Sequence, residues 1–435
     1  MKNKVLIISH NPIGNTDNIG ITLRNLFSNF DKDELCELYL RDQACNFDVC
    51  ENYYCLKETA ILKSLVKRQL QTGEVKHKPV NENVVVEHVD QDRTSSFKNS
   101  IYELGRKRTQ FIYTVRNFVW RHSNWYSKEL KEWLAIQKPT VIFFSAGDYS
   151  FLFNIVEKIA NDLKIPVVIY YMDEYYFVKE TKEKFLHIDS RDYKKTFKRL
   201  YLKAKANICI SDSMSELYTK EFGKEAINIM NSVVVNNETN KYHGFGDIIK
   251  VRYFGNISYS RYTVLSKLAT VFANLNKEYQ RQVDFKVYSG EKNQTTLNEF
   301  TSNKDVQFMG RISPEEVSEE ITKSDVLVIA EAFNESTICS VKHSISTKIP
   351  DSLNSGKVVL AIGPSEVAAI NYLRKNNAAL VIDDETKIEA ECRKLYENYD
   401  FSDVLDNAHK LVVLNHDKNL NEEKLREALY ENTRD

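Results

Sequence analysis

Short apolar runs alternate with segments of helical periodicity from the start of the chain. Residues 5–8 form the first run, a polar loop containing glycine follows over residues 10–20, and apolar residues then recur at helical spacing up to Phe30. The same alternation returns at residues 140–144 and 165–170, two apolar runs with a helical segment between them. A period that switches between strand and helix is typical of parallel sheets covered by helices. The pattern predicts an α/β fold in which polar loops follow the carboxyl ends of strands, where such sheets bind ligands.

A second series of this kind follows a polar segment at residues 236–248. Its predicted strands at residues 249–254, 283–288, 306–308, 326–330 and 358–362 each enter a polar or glycine-containing turn. A chain of 435 residues also exceeds what one hydrophobic core usually supports. We therefore expect two Rossmann-like domains at residues 1–235 and 249–410, joined by a linker at 236–248. Residues 411–435 are expected to include a helix that can pack back on the first domain.

Composition and charge exclude several classes of protein. The net charge of −1 gives no general attraction to nucleic acid. No run approaches the roughly 18 apolar residues that a membrane span needs, and the amino terminus reads as a buried strand without a cleavage site. Seven cysteines without a secretion signal favour free thiols in a reducing compartment. A soluble, cytoplasmic protein without disulfides is expected.

The first motif that carries chemistry is the segment FGNISYSR at residues 254–261. A predicted strand runs into Gly255, the polar Asn256 follows it, and Arg261 comes six positions after the glycine. A cation aimed at a leaving diphosphate stabilises the negative charge that gathers there in a transition state. The alternative is a strand-ending glycine followed by a surface arginine.

The second motif is STKIPDSLNSGKVVLA at residues 346–361. Pro350 suits a first helical turn and Ser346 or Thr347 suits the helix cap, so Lys348 is expected where a helix presents free N–H groups to an anion. Asp351 comes one turn later on the same face. The alternative is an ordinary capped helix with a salt bridge between Lys348 and Asp351.

These two motifs, in this order over residues 250–365, resemble those of retaining GT-B glycosyltransferases of bacterial surface-polysaccharide pathways, a group similar to glycosyltransferase family 4. The resemblance implies a GT-B fold with a donor site in the second half. Gly255 and Asn256 would let the backbone approach the donor diphosphate, and Arg261 and Lys348 would neutralise it as catalytic cations. Asp351 would bind the donor ribose.

This chain departs from the family pattern at two points. His343 stands where the family often has a glutamate eight residues before the ribose-binding acid, and residues 335–340 replace a glycine-rich turn. Glu331, at the end of its predicted strand, is a candidate for the missing sugar or base contact. A solvated glutamate at a strand end is the alternative.

The first half resembles the family only in layout. Asp173 follows the strand that ends near Tyr171, where relatives place a catalytic or acceptor-orienting residue, often histidine. Glu174 and Asp148 are further candidates on the acceptor side, because both follow predicted strands. Gly20 resembles the glycine that faces the acceptor and the diphosphate, with an ordinary loop glycine as the alternative.

The resemblance implies transfer of a hexose-type unit from a nucleoside diphosphate sugar, by default a UDP sugar, to a saccharide or lipid-linked glycan with retention. Two alternatives stay open: a GT-B-fold sugar-nucleotide epimerase, and a non-catalytic sugar-nucleotide-binding subunit. No metal or other cofactor is expected, because the basic residues fill the electrostatic role of a metal. The segments Asp31-Lys-Asp33 and Asp90-Gln-Asp92 match the DxD pattern of metal-dependent glycosyltransferases, but the surrounding architecture is of another type.

A basic and aromatic segment lies at residues 98–121. It contains six cations and the single acid Glu103, with aromatic and aliphatic residues between them. Such a helix can lie on an anionic membrane surface and bring the protein to a lipid-linked acceptor. The alternative is a helix that packs its aromatic residues into the first domain.

Overall fold

The computed structural model describes residues 3–15, 17–67, 70–78, 110–177, 188–237 and 242–431. These residues form two compact units, one that runs up to Asn228 and takes in the residues from Glu422 onward, and one that spans Ile229–Asn421. The boundary at Asn228 precedes the predicted domain end at residue 235. The predicted linker residues that the structure describes belong to the second unit.

The first unit is built on an eight-stranded sheet in the order β4-β3-β2-β1-β5-β6-β7-β8. Its pairs are parallel except for the antiparallel pair β3–β4. The strands are β1 (Val5–Ser9), β2 (Leu35–Tyr39), β3 (Tyr53–Leu56), β4 (Gly73–Lys76), β5 (Val141–Ala146), β6 (Val167–Tyr171), β7 (Ala206–Cys209) and β8 (Ile227–Asn228). The helices are α1 (Asn18–Phe27), α2 (Glu58–Ser64), α3 (Gln110–His122), α4 (Lys128–Gln137), α5 (Ser150–Leu163), α6 (Ile188–Lys203) and α7 (Asp212–Phe222).

The second unit contains a six-stranded parallel sheet in the order β11-β10-β9-β12-β13-β14. Its strands are β9 (Ile248–Phe254), β10 (Gln282–Tyr288), β11 (Phe308–Gly310), β12 (Val326–Ala330), β13 (Val358–Ile362) and β14 (Leu380–Ile382). The helices are α8 (Arg261–Glu278), α9 (Gln294–Thr301), α10 (Pro314–Lys323), α11 (Glu335–Val341), α12 (Ile349–Asn354), α13 (Ala368–Lys375), α14 (Ile388–Tyr396) and α15 (Ser402–Asn415). Helix α16 (Lys418–Tyr430) begins in the second unit, and its residues from Glu422 onward belong to the first unit.

Both sheets have a point at which the strand order reverses. In the first unit, strands β1 to β4 follow one another toward one edge of the sheet, and strands β5 to β8 toward the opposite edge. In the second unit, β9 to β11 follow one another toward one edge, and β12 to β14 toward the other. Open α/β sheets bind ligands outside the carboxyl ends of the strands at such a switch point. The prediction of an α/β protein with two parallel-sheet domains is confirmed, and the fold directs attention to the ends of these four strands.

The apolar runs seen in the sequence are buried strands. All residues of β1, β5, β12 and β13 are buried, which explains why these strands read as continuous apolar runs without alternation. All seven cysteines are free. Across the described ranges, no helix combines the length and apolar character needed to cross a bilayer.

The described part of the basic and aromatic segment is helix α3. Tyr113, Val119 and Trp120 are buried in the first unit. Arg116 pairs with Glu58 at 2.7 Å, and Arg121 with Asp192 at 3.1 Å. The other four cations, Lys98, Arg106, Lys107 and Arg108, lie outside the described residues, as do Glu103 and the Asp90–Asp92 pair.

Candidate functional site

The predicted donor residues of the second unit meet at the switch point of its sheet. Arg261 is the first residue of α8 and follows the loop at the end of β9, while Glu331 comes directly after β12. Because β9 and β12 are neighbouring parallel strands, their carboxyl ends lie at the same edge of the sheet. Residues far apart in the sequence are thereby brought into contact at this edge.

Arg261 and Glu331 form a bidentate ion pair. The Arg261 Nε donates to Glu331 Oε2 at 3.0 Å, and Nη2 donates to Oε1 at 3.0 Å. Nε also donates to the carbonyl of Ala330 at 3.1 Å. Planar guanidinium–carboxylate pairing of this kind fixes the direction of both side chains. The remaining Arg261 nitrogen, Nη1, donates to no described residue.

Lys348 reaches the same place from the start of α12. A methyl group on Gly255 would overlap the Lys348 Nζ and would lie 3.0 Å from the hydroxyl oxygen of Tyr253. Only glycine therefore allows the ammonium group to rest against the end of β9. The Tyr253 hydroxyl donates to the carbonyl of Asn256 at 2.7 Å and so ties the loop to the strand.

The electrostatics of the cluster follow from how far each side chain is withdrawn from water. Lys348 is surrounded by protein although its side chain keeps access to solvent, and this partial loss of water lowers its pKa to about 8. The nearby Arg261 charge lowers that pKa further, and Glu331 opposes the effect. Glu331 is only 4% exposed, and burial raises its pKa against the opposing attraction of Arg261.

This arrangement is suited to an anion. Arg261 and Lys348 carry two positive charges below pH 8, and Glu331 offsets one of them. Lys348 makes no ion pair with a described residue, so its ammonium donors remain available together with the Nη1 donors of Arg261. Two convergent cations with available donors at the end of a parallel strand are suited to holding a diphosphate.

The loop between β9 and α8 has an unusual backbone. Tyr259 and Ser260 have φ angles of 56° and 57°, in the left-handed region that side chains rarely adopt. The Tyr259 ring is 51% exposed and lies 5.6 Å from the Arg261 guanidinium carbon. Strain of this kind persists only where surrounding contacts enforce it, and it concentrates at functional sites.

The other predicted donor residues lie in the loop after β9 and around the start of α12. Asn256 is exposed in the loop after β9, where its Oδ1 accepts a hydrogen bond from the Ser258 amide at 2.7 Å. Asp351 is exposed in the first turn of α12, and His343 is half-buried. The expected cap at Ser346 or Thr347 is wrong, because α12 begins at Ile349 and Lys348 itself occupies the cap position without a capping side-chain bond.

A second polar cluster lies at the switch point of the first unit. His10 follows β1 and Asp148 follows the neighbouring strand β5. The Tyr113 hydroxyl donates to Asp148 Oδ2, and the Tyr149 ring lies 5.7 Å from His10 and 4.2 Å from the Arg116 guanidinium carbon. Burial, reinforced by the positive charge of Arg116, lowers the pKa of His10 to about 4. His10 is therefore neutral at physiological pH.

The remaining acceptor-side candidates have separate surroundings. Asp173 is exposed and accepts a hydrogen bond from the Tyr175 hydroxyl at 3.1 Å. Glu174 is buried and accepts from the Phe177 amide at 2.7 Å. The placement of Gly20 in a loop is wrong. Gly20 lies in the first turn of α1, where its amide donates to the capping Asp17 at 3.0 Å.

Sequence reasoning missed several members of these clusters. His10 was included only in a polar loop, although its position directly after a buried strand was a usable signal. Tyr113 and Arg116 belong to the segment 98–121, for which the sequence left a membrane-surface helix and a helix packed into the first domain open, and nothing in the sequence indicated that they approach Asp148 and His10. Tyr253 was read only as a strand residue.

This protein is similar to known proteins in structure but not in sequence. No family model matches the sequence, and no curated protein matches it in sequence. The sucrose-phosphate synthase of Thermosynechococcus elongatus superposes with a TM-score of 0.61 at 12% identity, over 98% of this chain and 97% of that chain. The α,α-trehalose-phosphate synthase of Burkholderia xenovorans, in complex with glucose-6-phosphate, gives a TM-score of 0.59 at 9% identity, over 98% and 100% of the two chains.

A trehalose-6-phosphate protein from E. coli, bound with UDP-2-fluoro glucose, gives a TM-score of 0.57 at 8% identity, over 98% of this chain and 99% of that chain. At such low sequence identity, these structural similarities show the fold alone. The chain has the α/β architecture of GT-B proteins, with two parallel-sheet units.

Proposed function

We propose that this protein is a glycosyltransferase that takes a hexose-type unit from a nucleoside diphosphate sugar. The observation that carries the proposal is the cluster of Arg261, Lys348 and Glu331 against Gly255 at the switch point of the second sheet. Its two cations match the charge of a diphosphate, and the glycine gives the close approach that a phosphate group needs. The GT-B architecture supports the same conclusion, because the similar structures carry names of sugar-transferring synthases.

The proposed donor is a UDP sugar. The E. coli protein of similar fold is bound with UDP-2-fluoro glucose, and this is the support for uridine. Arg261 and Lys348 would hold the diphosphate and stabilise it as it leaves, while Asp351 would bind the ribose and Asn256 would lie beside the phosphates. Glu331 would orient Arg261 and face the sugar or base. The cations remove the electrostatic need for a metal ion, so the proposed reaction is metal-independent.

The proposed acceptor is a saccharide or a lipid-linked glycan of a surface-polysaccharide pathway, and the proposed reaction retains the anomeric configuration. Acceptor-side roles are assigned to Asp173, Glu174, Asp148 and Gly20, with Asp173 as the candidate catalytic carboxylate. The B. xenovorans protein is in complex with glucose-6-phosphate, so a sugar phosphate is a further acceptor class to test. The proposed setting is the cytoplasm, including the inner face of the membrane.

Two observations favour a second candidate, a sugar-nucleotide-binding subunit without catalysis. The bidentate pair with Glu331 occupies part of the Arg261 guanidinium, and His343 stands where relatives often have a glutamate. Such a subunit would bind the donor but would neither transfer nor slowly hydrolyse it. A sugar-nucleotide epimerase would instead convert the donor in the absence of any acceptor.

The test is a thermal-shift screen of UDP, GDP, ADP and CDP sugars, followed by NMR of the stabilising donor with and without acceptors. We expect a UDP sugar to raise the unfolding midpoint and the nucleoside diphosphate to be released when an acceptor is present. Failure of every nucleotide sugar to stabilise the protein would contradict the proposal. Conversion of the donor alone would indicate an epimerase, and binding without any turnover would indicate the non-catalytic subunit.

A further inference from the structure

A carboxyl group is fully buried beside the first-unit switch point. Glu37 lies in the middle of β2, next to β1, and its side chain reaches the loop that follows β1. The Ile13 amide donates to Glu37 Oε2 at 2.9 Å, and the Ser9 hydroxyl oxygen lies 2.8 Å from Oε1. This carboxyl group therefore joins the last residue of β1 to a residue four positions farther along the chain.

The two short contacts of the Ser9 hydroxyl point to a proton on the Glu37 carboxyl group. The Ser9 hydroxyl oxygen lies 2.6 Å from the carbonyl oxygen of Asn11 and 2.8 Å from Glu37 Oε1. A hydroxyl has one proton, and a carbonyl can only accept. If Ser9 donates to Asn11, the short contact with Oε1 needs a second proton, and Glu37 is the group that can supply it. The chain of donors then runs from Glu37 to Ser9 to Asn11.

The surroundings of Glu37 favour the neutral form. Burial raises its pKa to about 8 against the opposing hydrogen bond from the Ile13 amide, and the Asp17 carboxylate adds to the increase. The ionisable groups that interact with it from β2, the following loop and β3 are thiols and a phenol, which carry no positive charge: Cys36, Cys45, Cys50 and Tyr53. An ionised carboxylate in such a place would be costly, because none of the residues that the structure describes sets a cation against it.

The loop after β1, which Glu37 binds through Ile13, contains two buried polar side chains, His10 and Asn11. Within the described residues, the buried atoms His10 Nδ1 and Asn11 Oδ1 have no hydrogen-bond partner. Buried polar atoms are normally satisfied, so these two unpartnered atoms, of which the His10 nitrogen belongs to a ring that interacts with Asp148, are suited to meeting ligand hydroxyl groups. The loop is also tied on its outer side, since the His10 carbonyl accepts from the Arg41 amide at 2.9 Å and the Ile13 carbonyl from the Asn46 amide at 2.9 Å.

We propose that Glu37 is a neutral carboxylic acid that serves as a positioning residue, fixing the loop after β1 so that His10 and Asn11 can meet acceptor hydroxyl groups. The acceptor part of this statement rests on the proposed function, whereas the protonation of Glu37 does not. Glutamine reproduces the protonated pattern, because its amide N–H can donate to Ser9 while its oxygen accepts from Ile13. Alanine removes both interactions.

The sign of the pH effect follows from linkage. The unfolded chain releases this proton near pH 4.5, the ordinary pKa of a glutamate, whereas in the folded protein the pKa is about 8. Between these values the folded state binds more protons, so the stabilisation is complete below pH 4.5 and is lost as pH rises through 8. Glu37→Gln cannot titrate and lacks this dependence.

The experiment compares thermal unfolding midpoints of the full chain from pH 5 to 9 for wild type, Glu37→Gln and the control Glu51→Gln at an exposed site. We expect the wild-type midpoint to fall relative to Glu37→Gln by on the order of 5 °C across this range. Glu51→Gln should follow the wild-type curve. A Glu37→Gln protein that fails to fold, is less stable than wild type at pH 6 to 8, or shows the same pH curve overturns the proposal.

A second measurement tests positioning. In acceptor-dependent transfer, Glu37→Ala is expected to lower kcat/KM for the acceptor at least tenfold while the thermal shift caused by the donor is kept, and Glu37→Gln is expected to retain wild-type values. Equal loss in both variants, or no loss in Glu37→Ala, overturns the positioning role. If no nucleotide sugar supports transfer, the proposed function fails, and the pH comparison still decides whether Glu37 is neutral.

Discussion

At the scale of single residues, the proposed donor site depends on Gly255, which leaves room for the Lys348 ammonium group. Gly255 has no side chain at the point where the Lys348 ammonium rests, and a methyl group there would overlap it. The motif in the sequence identified both residues but could not show that they touch, since 93 positions separate Gly255 from Lys348 in the numbering. Their contact is a product of the sheet order, which brings the end of β9 beside the segment that leads into β13.

Gly255→Ala is therefore expected to displace the Lys348 ammonium group and to weaken donor binding. We expect at least a tenfold increase in the dissociation constant of the donor, about 1.4 kcal/mol. Isothermal titration calorimetry measures it, with Gly246→Ala as the matched control, because a methyl group there meets open space. Equal affinities for the two variants would mean that the approach of Lys348 to Gly255 plays no part in binding.

Lys348 also gives the donor site a pH dependence. Its pKa of about 8 means that the ammonium form predominates at pH 7 and declines as pH rises through 8. We expect kcat/KM for the donor to fall above pH 8, because this ratio reports the ionisation of the free enzyme. A guanidinium stays charged in this range, so the profile of Lys348→Arg should be level up to pH 9.5. A wild-type profile that stays level to pH 9.5 would contradict the role of Lys348.

At the scale of elements, the sequence predicted best where a strand is wholly apolar. The predicted strands at 326–330 and 358–362 agree with β12 and β13, and the first strand extends one residue beyond the prediction. Strand β2 was missed because Glu37 interrupts its apolar run and reads as a solvated position. The residue that hid the strand is buried there and satisfied by hydrogen bonds, a property that depends on tertiary contacts.

The environment of the aromatic face of helix α3 could not be predicted from helical periodicity. Its aromatic residues were compatible with a membrane surface or with packing into the first unit, and the described contacts place one face in the core. Trp120 is 1% exposed and stacks on Phe151 with ring centroids 4.7 Å apart, whereas Phe118 is 59% exposed. Binding of residues 98–121 to an anionic membrane stays a prediction, because most of its cations lie outside the described residues.

The two aromatic residues of α3 provide a matched comparison. Trp120→Ala is expected to lower the free energy of unfolding by about 3–5 kcal/mol, because it leaves a cavity against Phe151. Phe118→Ala, on the exposed face, should change it by less than about 0.5 kcal/mol. Urea unfolding followed by circular dichroism measures both. Similar losses for the two variants would mean that the faces of α3 are assigned incorrectly.

At the scale of the whole molecule, the sequence predicted the division into two α/β units and a C-terminal helix that can pack back on the first domain. Residues from Glu422 onward belong to the first unit, and the Arg426 guanidinium carbon lies 3.9 Å from the ring centroid of Phe30. Leu425 and Leu429 of this helix are buried. The individual contacts of the helix could not be predicted from the sequence, because helical periodicity shows which face is buried and not which residues cover it.

The proposed function depends on whether the second unit holds a nucleotide sugar through Arg261 and Lys348. Arg261→Ala alone would leave Glu331 buried without its partner, and such an orphaned charge destabilises a protein for reasons unrelated to catalysis. The informative variants are therefore Lys348→Ala and the double variant Arg261→Ala/Glu331→Gln. Lys267→Ala, at an exposed position on the same helix as Arg261, is the control.

The most direct measurement is the rate of nucleoside diphosphate release from the nucleotide sugar that stabilises the protein, with circular dichroism to verify folding. The account predicts that Lys348→Ala and the double variant each lose a factor of about 100 or more, since one aimed transition-state donor is worth about 3 kcal/mol. Lys267→Ala should keep the wild-type rate. Near-normal rates in both site variants would contradict the account and place the donor elsewhere.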